Sequence, residues 1–427
     1  MERSHDMAVH GKLVVIGQGY VGLPLSMRAV EVGYRVIGFD VDKSRVDLLA
    51  SGITYIEDVT SNQIKSALET DRFQPSFDPS DIDDFDFCVI TVPTPLRDGL
   101  PDLSYITAAS AMIGTRIKKG SSVILESTTY PGTTSELVLP ELERLSNLVA
   151  GVDFYLGYSP ERIDPGNPNF NFINTPKLVS GINKDSLEAI SNFYKDLVDE
   201  TVELKSPAEA EMAKLLENTF RHVNVALVNE LAVFANELGI DVWEAIRGAA
   251  SKPFGFMPFF PGPGVGGHCL PIDPSYLSWK VKLQLGENFR FVELANDINH
   301  HMPQFVSRRV MLGLNERGKA VKGSNIVLAG LAYKPNTSDA RESPGVSVAA
   351  SLIELGARVI ACDPLVRRED VNLSLEWRDF SKEIMKEADV VVILAPHRDF
   401  DLNEIVENAS YILDTRHVLV GENVEYL

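Results

Sequence analysis

The chain has 427 residues, which at roughly 150 residues per domain suggests two or three domains. Its hydrophobic share of 44% and charged share of 23% are those of an ordinary globular protein, so disorder is not the default. A formal charge of −20 argues against nucleic acid as a partner, because phosphate affinity rests on clustered Lys and Arg.

No apolar run approaches the roughly 20 residues that a membrane span needs, so no membrane insertion is expected. The opening MERSHDMAVHGK has neither the apolar core nor the twin arginine of a secretory signal, and a cytoplasmic location follows as the expectation.

The first predicted elements are short Val/Ile-rich runs, KLVVIG, YRVIGFD, FCVITVP, SVILEST and DFYLGYSP, with helical patterns between them. Continuous apolar runs mark strands buried on both faces, so the alternation predicts a doubly wound parallel sheet up to about Lys205. In KLVVIGQGYVGLPLS, Gly17, Gly19 and Gly22 fall in GxGxxG spacing directly after a strand and at the start of a helix. The second strand ends in Asp40, close to where the ribose-binding acid of a dinucleotide fold belongs.

Each residue has its own reason. Gly17 permits the tight turn, Gly19 lets backbone approach a pyrophosphate, and Gly22 lets the helix pack closely on the strand, its N-terminus facing the anion. Tyr20 and Val21 belong to the same cofactor loop. Asp40 would accept from both ribose hydroxyls and repel a 2′-phosphate, which favours NAD over NADP. Thr94 in VPTP and Thr128 in ESTTYPGT sit at carboxyl ends of strands, where ligands bind in open α/β sheets. YLGYSPERIDPGNPNF adds Glu161 and Arg162 at another strand end, read either as a surface ion-pair loop or as a general base with its neighbour.

From Ser206 the pattern changes. Ser206 is a plausible N-cap, Pro207 takes the first helical position and Gly239 the far end. Leu216, Phe220, Val223, Leu227, Leu231, Phe234 and Leu238 step by three or four, predicting a long helix with a buried face and a role as spine or subunit interface. Lys214, Asn218 and Arg221 share another face, either solvated or lining a cleft.

Further on, PGPGVGGHCLPID sets Cys269 among glycines and prolines, behind His268 and ahead of Asp273. Such a loop would leave the thiol reachable, as a nucleophile needs. Cys88 and Cys362 lie in apparent strands and read as inert core thiols. No Cys/His spacing suggests a disulfide frame or a metal site. After GKAVKG the strand-helix alternation restarts with NIVLAGL, ARVIACDP, DVVVILAP and YILDTR, and Asp363 closes a β-α-β unit as Asp40 does.

The expected architecture is α/β, with two Rossmann-like doubly wound domains joined by a long central helix and a helical middle domain. The expected boundaries are 1–205 for NAD binding, 206–318 for the helical domain with the cysteine loop and dimer interface, and 319–427 for a UDP-sugar-binding domain.

GQGYVGLP, VPTP, ESTTYPGT, SPER, AKLLENTFRHVN, GPGVGGHCLPIDP, GLAYKPNTSDARESPG and YILDTR occur in the order seen in the UDP-glucose/GDP-mannose dehydrogenase family. The chain resembles that family from Lys12 to about Leu419. The resemblance implies oxidation of a sugar-nucleotide C6 hydroxyl to a carboxylate with two NAD+ per turnover. It implies Cys269 as the nucleophile that captures the aldehyde as a thiohemiacetal and then a thioester, and Lys214 and Asn218 as oxyanion donors. Asp273 and Thr128 would hold a water that Glu161 activates.

Lys334, Arg341 and Arg416 resemble the family's contacts to nucleotide phosphates or to the active-site assembly, although Pro335 stands where the family often has a second lysine. The family also implies a homodimer or a higher homo-oligomer about the central helix. The cysteine loop and SPERIDPGN look like the UDP-N-acetylhexosamine branch, with UDP-N-acetylglucosamine favoured over its mannosamine and galactosamine epimers and over UDP-glucose. Arg162, Arg221, Gly266 and His268 are then candidates to contact substrate. Two rival readings use the same fold, a non-catalytic nucleotide sensor and a two-electron hydroxyacid dehydrogenase. A cysteine hydrolase is a third, without a His-Asp pair placeable near Cys269.

Overall fold

KLVVI forms a strand buried at every position after the first, and this all-apolar character recurs in the strands beside it. The computed structural model describes residues 10–427 other than 57, 98, 165, 166, 168, 268 and 269. The chain divides into two compact units, Met1–Glu217 and Asn218–Leu427.

The first unit begins with β1 (Lys12–Ile16), α1 (Gly22–Glu31), β2 (Arg35–Phe39), α2 (Lys43–Ala50), α3 (Ser61–Glu69), β3 (Phe73–Ser76) and β4 (Phe87–Ile90). A small hairpin follows, β5 (Leu96–Arg97) and β6 (Leu100–Pro101), then α4 (Ser104–Gly114), β7 (Ser122–Leu125) and α5 (Leu139–Ser146). The unit continues with β8 (Tyr155–Tyr158), β9 (Lys177–Gly181), α6 (Lys184–Leu197) and β10 (Thr201–Glu203).

Eight strands form one sheet in the order β10-β9-β8-β7-β4-β1-β2-β3. Every neighbouring pair is parallel except β8 and β9. The chain leaves β1 toward β2 and β3 and then returns to β1's other side as β4, which makes a switch point at the carboxyl ends of β1 and β4. Side chains alternate between faces, and both faces are covered: Leu13 and Val15 join one apolar cluster, Val14 and Ile16 the other.

Helix α7 (Pro207–Leu238) starts in the first unit and runs into the second. The second unit continues with α8 (Val242–Ala250), α9 (Asp273–Leu285), α10 (Arg290–Glu316), β11 (Asn325–Ala329), α11 (Pro344–Glu354) and β12 (Arg358–Cys362). It ends with β13 (Glu376–Trp377), α12 (Lys382–Glu387), β14 (Val390–Ile393), α13 (Leu402–Asn408), β15 (Ile412–Asp414) and β16 (Val424–Tyr426). The six strands are all parallel, in the order β13-β12-β11-β14-β15-β16, with apolar clusters on both faces. Two Rossmann-like domains and a helical middle region are thus present, as the alternation of patterns implied.

One expectation is corrected. Helix α7 has the expected ends, with Ala210 N–H donating to the Ser206 carbonyl, but most of its regular apolar stripe is not buried. Leu216, Phe220, Leu227, Leu231, Phe234 and Leu238 are exposed, and Ala226, Val228, Asn229, Ala232 and Ala235 form the covered side. Periodicity shows that a face is apolar but not what covers it. Cys88 and Cys362 are buried in strands, and burial pushes the Cys362 thiol up to about 12, so neither is a reactive thiolate.

Candidate active site

The glycine turn between β1 and α1 shows three different constraints. Gly17 has φ +96, its N–H donates to the Phe39 carbonyl at 2.8 Å, and a Cβ there would sit 2.8 Å from the Thr91 carbonyl oxygen. A Cβ on Gly22 would lie 1.9 Å from the Gly17 carbonyl oxygen. A Cβ on Gly19 would meet nothing within 4 Å. The first two glycines are needed by the protein's own packing, and the third leaves space for something else.

Helix α1 has no side-chain cap and no acidic residue in its first turn, so no side chain opposes the positive end of its dipole. Asp40 is buried, with Oδ2 accepting from the Gln18 N–H and Oδ1 from the Asp42 N–H, both at 2.9 Å. Tyr20 and Val21 are half-buried in the turn, Tyr20 packing on the apolar core, and Thr94 is buried beyond β4. The turn, the open space at Gly19 and the fixed acid fit a dinucleotide: the Gly17–Gly22 turn at the start of α1 would hold its pyrophosphate and Asp40 its ribose.

The carboxyl edge of the same sheet carries a polar cluster. Thr128 is half-buried after β7. Glu161 follows β8, its Oε1 accepting from the N–H groups of Arg162 and Ile163 at 2.6 and 2.5 Å. Its Oε2 lies 3.8 Å from Lys177 Nζ. Arg162 is turned toward Glu217 at 2.7 Å and also donates to the Pro176 carbonyl at 2.6 Å. Lys214 is buried on α7 with no ion pair to any described residue.

One turn earlier, Glu211 accepts from the Gly132 N–H (2.6 Å), the Thr134 N–H (2.9 Å) and the Thr134 hydroxyl (2.7 Å), pinning the loop after Thr128. Burial pushes Glu211 up to about 7 against these donors. The sequence reading passed over Glu211, Glu126, Lys177 and Tyr194. For Glu126 the signal was a carboxylate directly after the apolar run SVIL, and the local pattern marks none of the other three.

In the second unit, Asn218 Nδ2 donates to Asp273 Oδ2 at 2.5 Å, and both residues are buried. A carboxylate therefore fixes which way this amide points. Arg221 is exposed, unlike Lys214 and Asn218. Cys269 and His268 lie outside the described residues.

The glycines flanking that pair have a packing reason that composition alone did not reveal. Gly267 donates its N–H to the Arg341 carbonyl at 3.0 Å, and a Cβ on it would strike the Tyr333 ring at 2.8 Å. On Gly266 a Cβ would come within 2.6 Å of the Glu342 carbonyl oxygen, and on Gly262 within 2.7 Å of the Arg416 guanidinium. The loop is stripped of side chains so that it can lie against the 333–344 segment and Arg416.

Lys334 is half-buried. Arg341 is exposed and folds back on Asp339 at 2.6 and 2.9 Å. Arg416 donates to the Leu394 carbonyl at 2.8 Å, and desolvation brings its guanidinium down to about 10, still charged at neutral pH.

Asp363, the counterpart of Asp40, is used internally. It accepts from the backbone N–H groups of Leu331, Ala332, Leu365 and Val366 and from His397 Nε2 at 3.0 Å. Burial would raise its pKa, but these donors hold it below the ordinary value. His397 Nδ1 accepts the Asn336 N–H, so the neutral ring carries its proton on Nε2. His222, unassigned from sequence, joins a buried chain in which its Nε2 meets Asn296 Oδ1 at 2.8 Å and its Nδ1 meets Asn299 Nδ2. Asn229 donates to Asn299 and accepts the Gly262 N–H, each at 2.9 Å, so the chain ends on the cysteine loop.

A cavity of about 690 Å³ in the first unit, lined by Pro24, Met27, Val59, Asn62 and Phe172, includes none of the site residues expected from sequence, although Ile163 beside Glu161 is in its wall. Among the described residues no cluster of His, Cys, Asp and Glu could hold a metal, and no helix is long and apolar enough to cross a membrane.

A dinucleotide turn at a sheet switch point, followed in the chain by a second Rossmann-like domain, fits an NAD-binding protein, and the likenesses that follow make it an NAD-dependent oxidoreductase. Three family models match in order: the NAD binding domain of the UDP-glucose/GDP-mannose dehydrogenase family at 11–198, its central domain at 208–301 and its UDP binding domain at 327–421. The chain is 35% identical over 421 residues to the UDP-N-acetyl-D-glucosamine 6-dehydrogenase of Salmonella typhi, covering 96% of this chain and 97% of that protein. Among solved structures it resembles UDP-D-ManNAc dehydrogenase from Pyrococcus horikoshii, with TM-score 0.88, 31% identity and 97% and 98% of the two chains covered. It also resembles the UDP-N-acetyl-mannosamine dehydrogenase Cap5O of Staphylococcus aureus, with TM-score 0.84, 32% identity and 97% of each chain covered. The chain belongs to the UDP-glucose/GDP-mannose dehydrogenase family.

Proposed function

We propose that the chain oxidises the C6 hydroxyl of a UDP-N-acetylhexosamine to the carboxylate, with UDP-N-acetylglucosamine as the favoured substrate. The reading is carried by a likeness that runs through all three family domains to relatives named for UDP-N-acetylhexosamines. NAD+, bound by the Gly17–Gly22 turn and Asp40, supplies a hydride acceptor for each of two oxidations. The expected organisation is 1–205 for NAD, 206–318 for the middle domain and 319–427 for the UDP-sugar.

The remaining chemistry is assigned to the chain's own residues. Cys269 adds to the C6 aldehyde and holds the sugar first as a thiohemiacetal and then as a thioester, so a half-oxidised product cannot leave between the two oxidations. Lys214 and Asn218 donate to the oxygen that gains charge, and the hydrogen bond from Asn218 to Asp273 supports a fixed amide for that task. Glu161 takes a proton from the water that Asp273 and Thr128 hold. That water's oxygen adds to the thioester carbonyl, and the C–S bond breaks to return Cys269 and release the carboxylate. Lys334, Arg341, Arg416, Arg162, Arg221, Gly266 and His268 are assigned to the substrate, with Arg341 exchanging Asp339 for phosphate. The apolar stripe of α7 is assigned to a homodimer interface.

UDP-N-acetylmannosamine is the second reading, favoured by the Pyrococcus and Staphylococcus structures. The test is NADH formation with UDP-glucose, the three UDP-N-acetylhexosamines and GDP-mannose. Fastest turnover per KM with UDP-N-acetylglucosamine supports the proposal, and turnover only with UDP-glucose or GDP-mannose overturns it.

A further inference from the structure

Behind Glu161 lies a buried set of charged groups to which the mechanism above gives no task. Because β9 runs antiparallel to β8, its first residue lies at the sheet edge where β8 ends. Ser159, between them, donates to the Leu178 carbonyl at 2.7 Å. That topology brings Lys177 to Glu161 and also to Glu126, the residue that follows β7. Lys177 Nζ is 2.7 Å from Glu126 Oε1 and 3.8 Å from Glu161 Oε2. Its ammonium also lies 5.2 Å from the Tyr194 ring centroid and 5.5 Å from that of Phe172. The Tyr194 hydroxyl, from α6, donates to Glu126 Oε1. Glu126 Oε2 and Glu161 Oε2 are both buried without a hydrogen-bond partner.

Two carboxylates therefore face one ammonium, with Glu126 and Lys177 buried and Glu161 half-buried. A core that needed only a stable ion pair would have one of each, and a buried unpaired carboxylate is costly. We propose that Lys177 is a positioning residue that holds the Glu161 carboxylate, and that Glu126 sets how much of the Lys177 charge Glu161 receives. When Glu126 is ionised it shares the ammonium, and when it carries a proton the whole charge acts on Glu161.

Burial raises the Glu126 pKa despite Lys177, which makes the protonated form accessible. The groups that face this pair are Lys177 from β9 and Tyr194 from α6. Arg162, on Glu161's own loop, is engaged by Glu217 of α7 and by Pro176. The inference rests on the assignment of Glu161 as the base for thioester hydrolysis.

The experiment follows the pH dependence of steady-state turnover, together with the burst of NADH in a single turnover. Glu126→Gln leaves Lys177 wholly to Glu161 and should move the acidic limb of the profile to lower pH. The pair Lys177→Met with Glu126→Gln removes both charges at once, so Glu126 is not left as a buried carboxylate without its cation, and the loss of the ammonium is felt at Glu161. It should move that limb to higher pH and slow steady turnover by about tenfold or more, with the burst retained. Lys177→Arg should restore most of the rate. Unmoved profiles in Glu126→Gln and in the double variant, with both melting near the parent protein, would overturn the inference. Glu161→Gln separates the two readings. If it turns over normally the base assignment itself fails, whereas a slow Glu161→Gln beside unmoved Lys177 and Glu126 variants removes only the present inference.

Discussion

Replacing Gly22 and Gly19 by alanine, one at a time, should have opposite consequences although the glycines stand three residues apart in one turn. On Gly22 the added carbon would be 1.9 Å from the Gly17 carbonyl oxygen and 2.5 Å from Thr91 Oγ1. A carbon needs roughly 3.3 Å from such an oxygen, so the turn would have to open by about 1.4 Å. Overpacking of that kind costs up to about 3 kcal/mol. At about 2–4 °C per kcal/mol for a domain near 200 residues, Gly22→Ala should melt roughly 6–12 °C lower.

On Gly19 the carbon meets no atom within 4 Å, and the residue does not have positive φ. Gly19→Ala should therefore keep its stability to within about 0.5 kcal/mol. It should lose NAD+ affinity by about tenfold, near 1.4 kcal/mol, because the methyl group occupies the space left for pyrophosphate. The assays are thermal unfolding with and without NAD+ and calorimetric titration of NAD+. A Gly19→Ala protein that melts as low as Gly22→Ala, or that binds NAD+ with the parent Kd, would refute the reasoning.

Two buried groups should tilt stability in opposite directions with pH. Glu211 is raised from 4.5 to about 7, so the folded protein keeps a proton that the unfolded chain releases. Its contribution is full below about pH 4.5 and is lost as pH rises through about 7, a change on the order of 3 kcal/mol that Glu211→Gln should abolish in denaturant titrations at several pH values. Desolvation lowers the His222 pKa, so its contribution is present above about pH 6.5 and lost on acidification. His222→Gln should flatten the acid loss, and an unchanged slope would contradict a neutral buried ring. On α7, Leu231→Glu with Phe234→Glu should turn a dimer into a monomer by sedimentation velocity, because both side chains are exposed in the single chain. A dimer of parent strength would remove this stripe from the interface.

The central strands of both sheets were legible because burial on two faces leaves an unbroken apolar run, as in KLVVI and VVVI. The edge strands were not. FQPS contains a proline and one exposed position, and the two- and three-residue strands β13 and β16 are too short to show any period. The glycine turn and Asp40 could be read because their spacing follows from the backbone path around a phosphate.

Spacing said less about contacts across the fold. The glycines around Cys269 suggested access, but Gly262, Gly266 and Gly267 also answer to Arg416, Glu342 and Tyr333, which lie far along the chain. Nothing in the local sequence marks Lys177. Only the antiparallel pairing of β8 and β9 gives it Glu126 and Glu161 as neighbours. The α7 stripe was correctly seen as apolar, but most of it is exposed, because period shows which face is apolar and not what covers it.

The central claim is that one thiol retains the sugar through two oxidations. The most direct measurement is the number of NADH formed per UDP-N-acetylglucosamine consumed, made on the parent protein and on Cys269→Ala. The account requires two NADH per sugar for the parent and no uronate from the variant. One NADH per sugar with free aldehyde released, or ordinary uronate formation by Cys269→Ala, would contradict it.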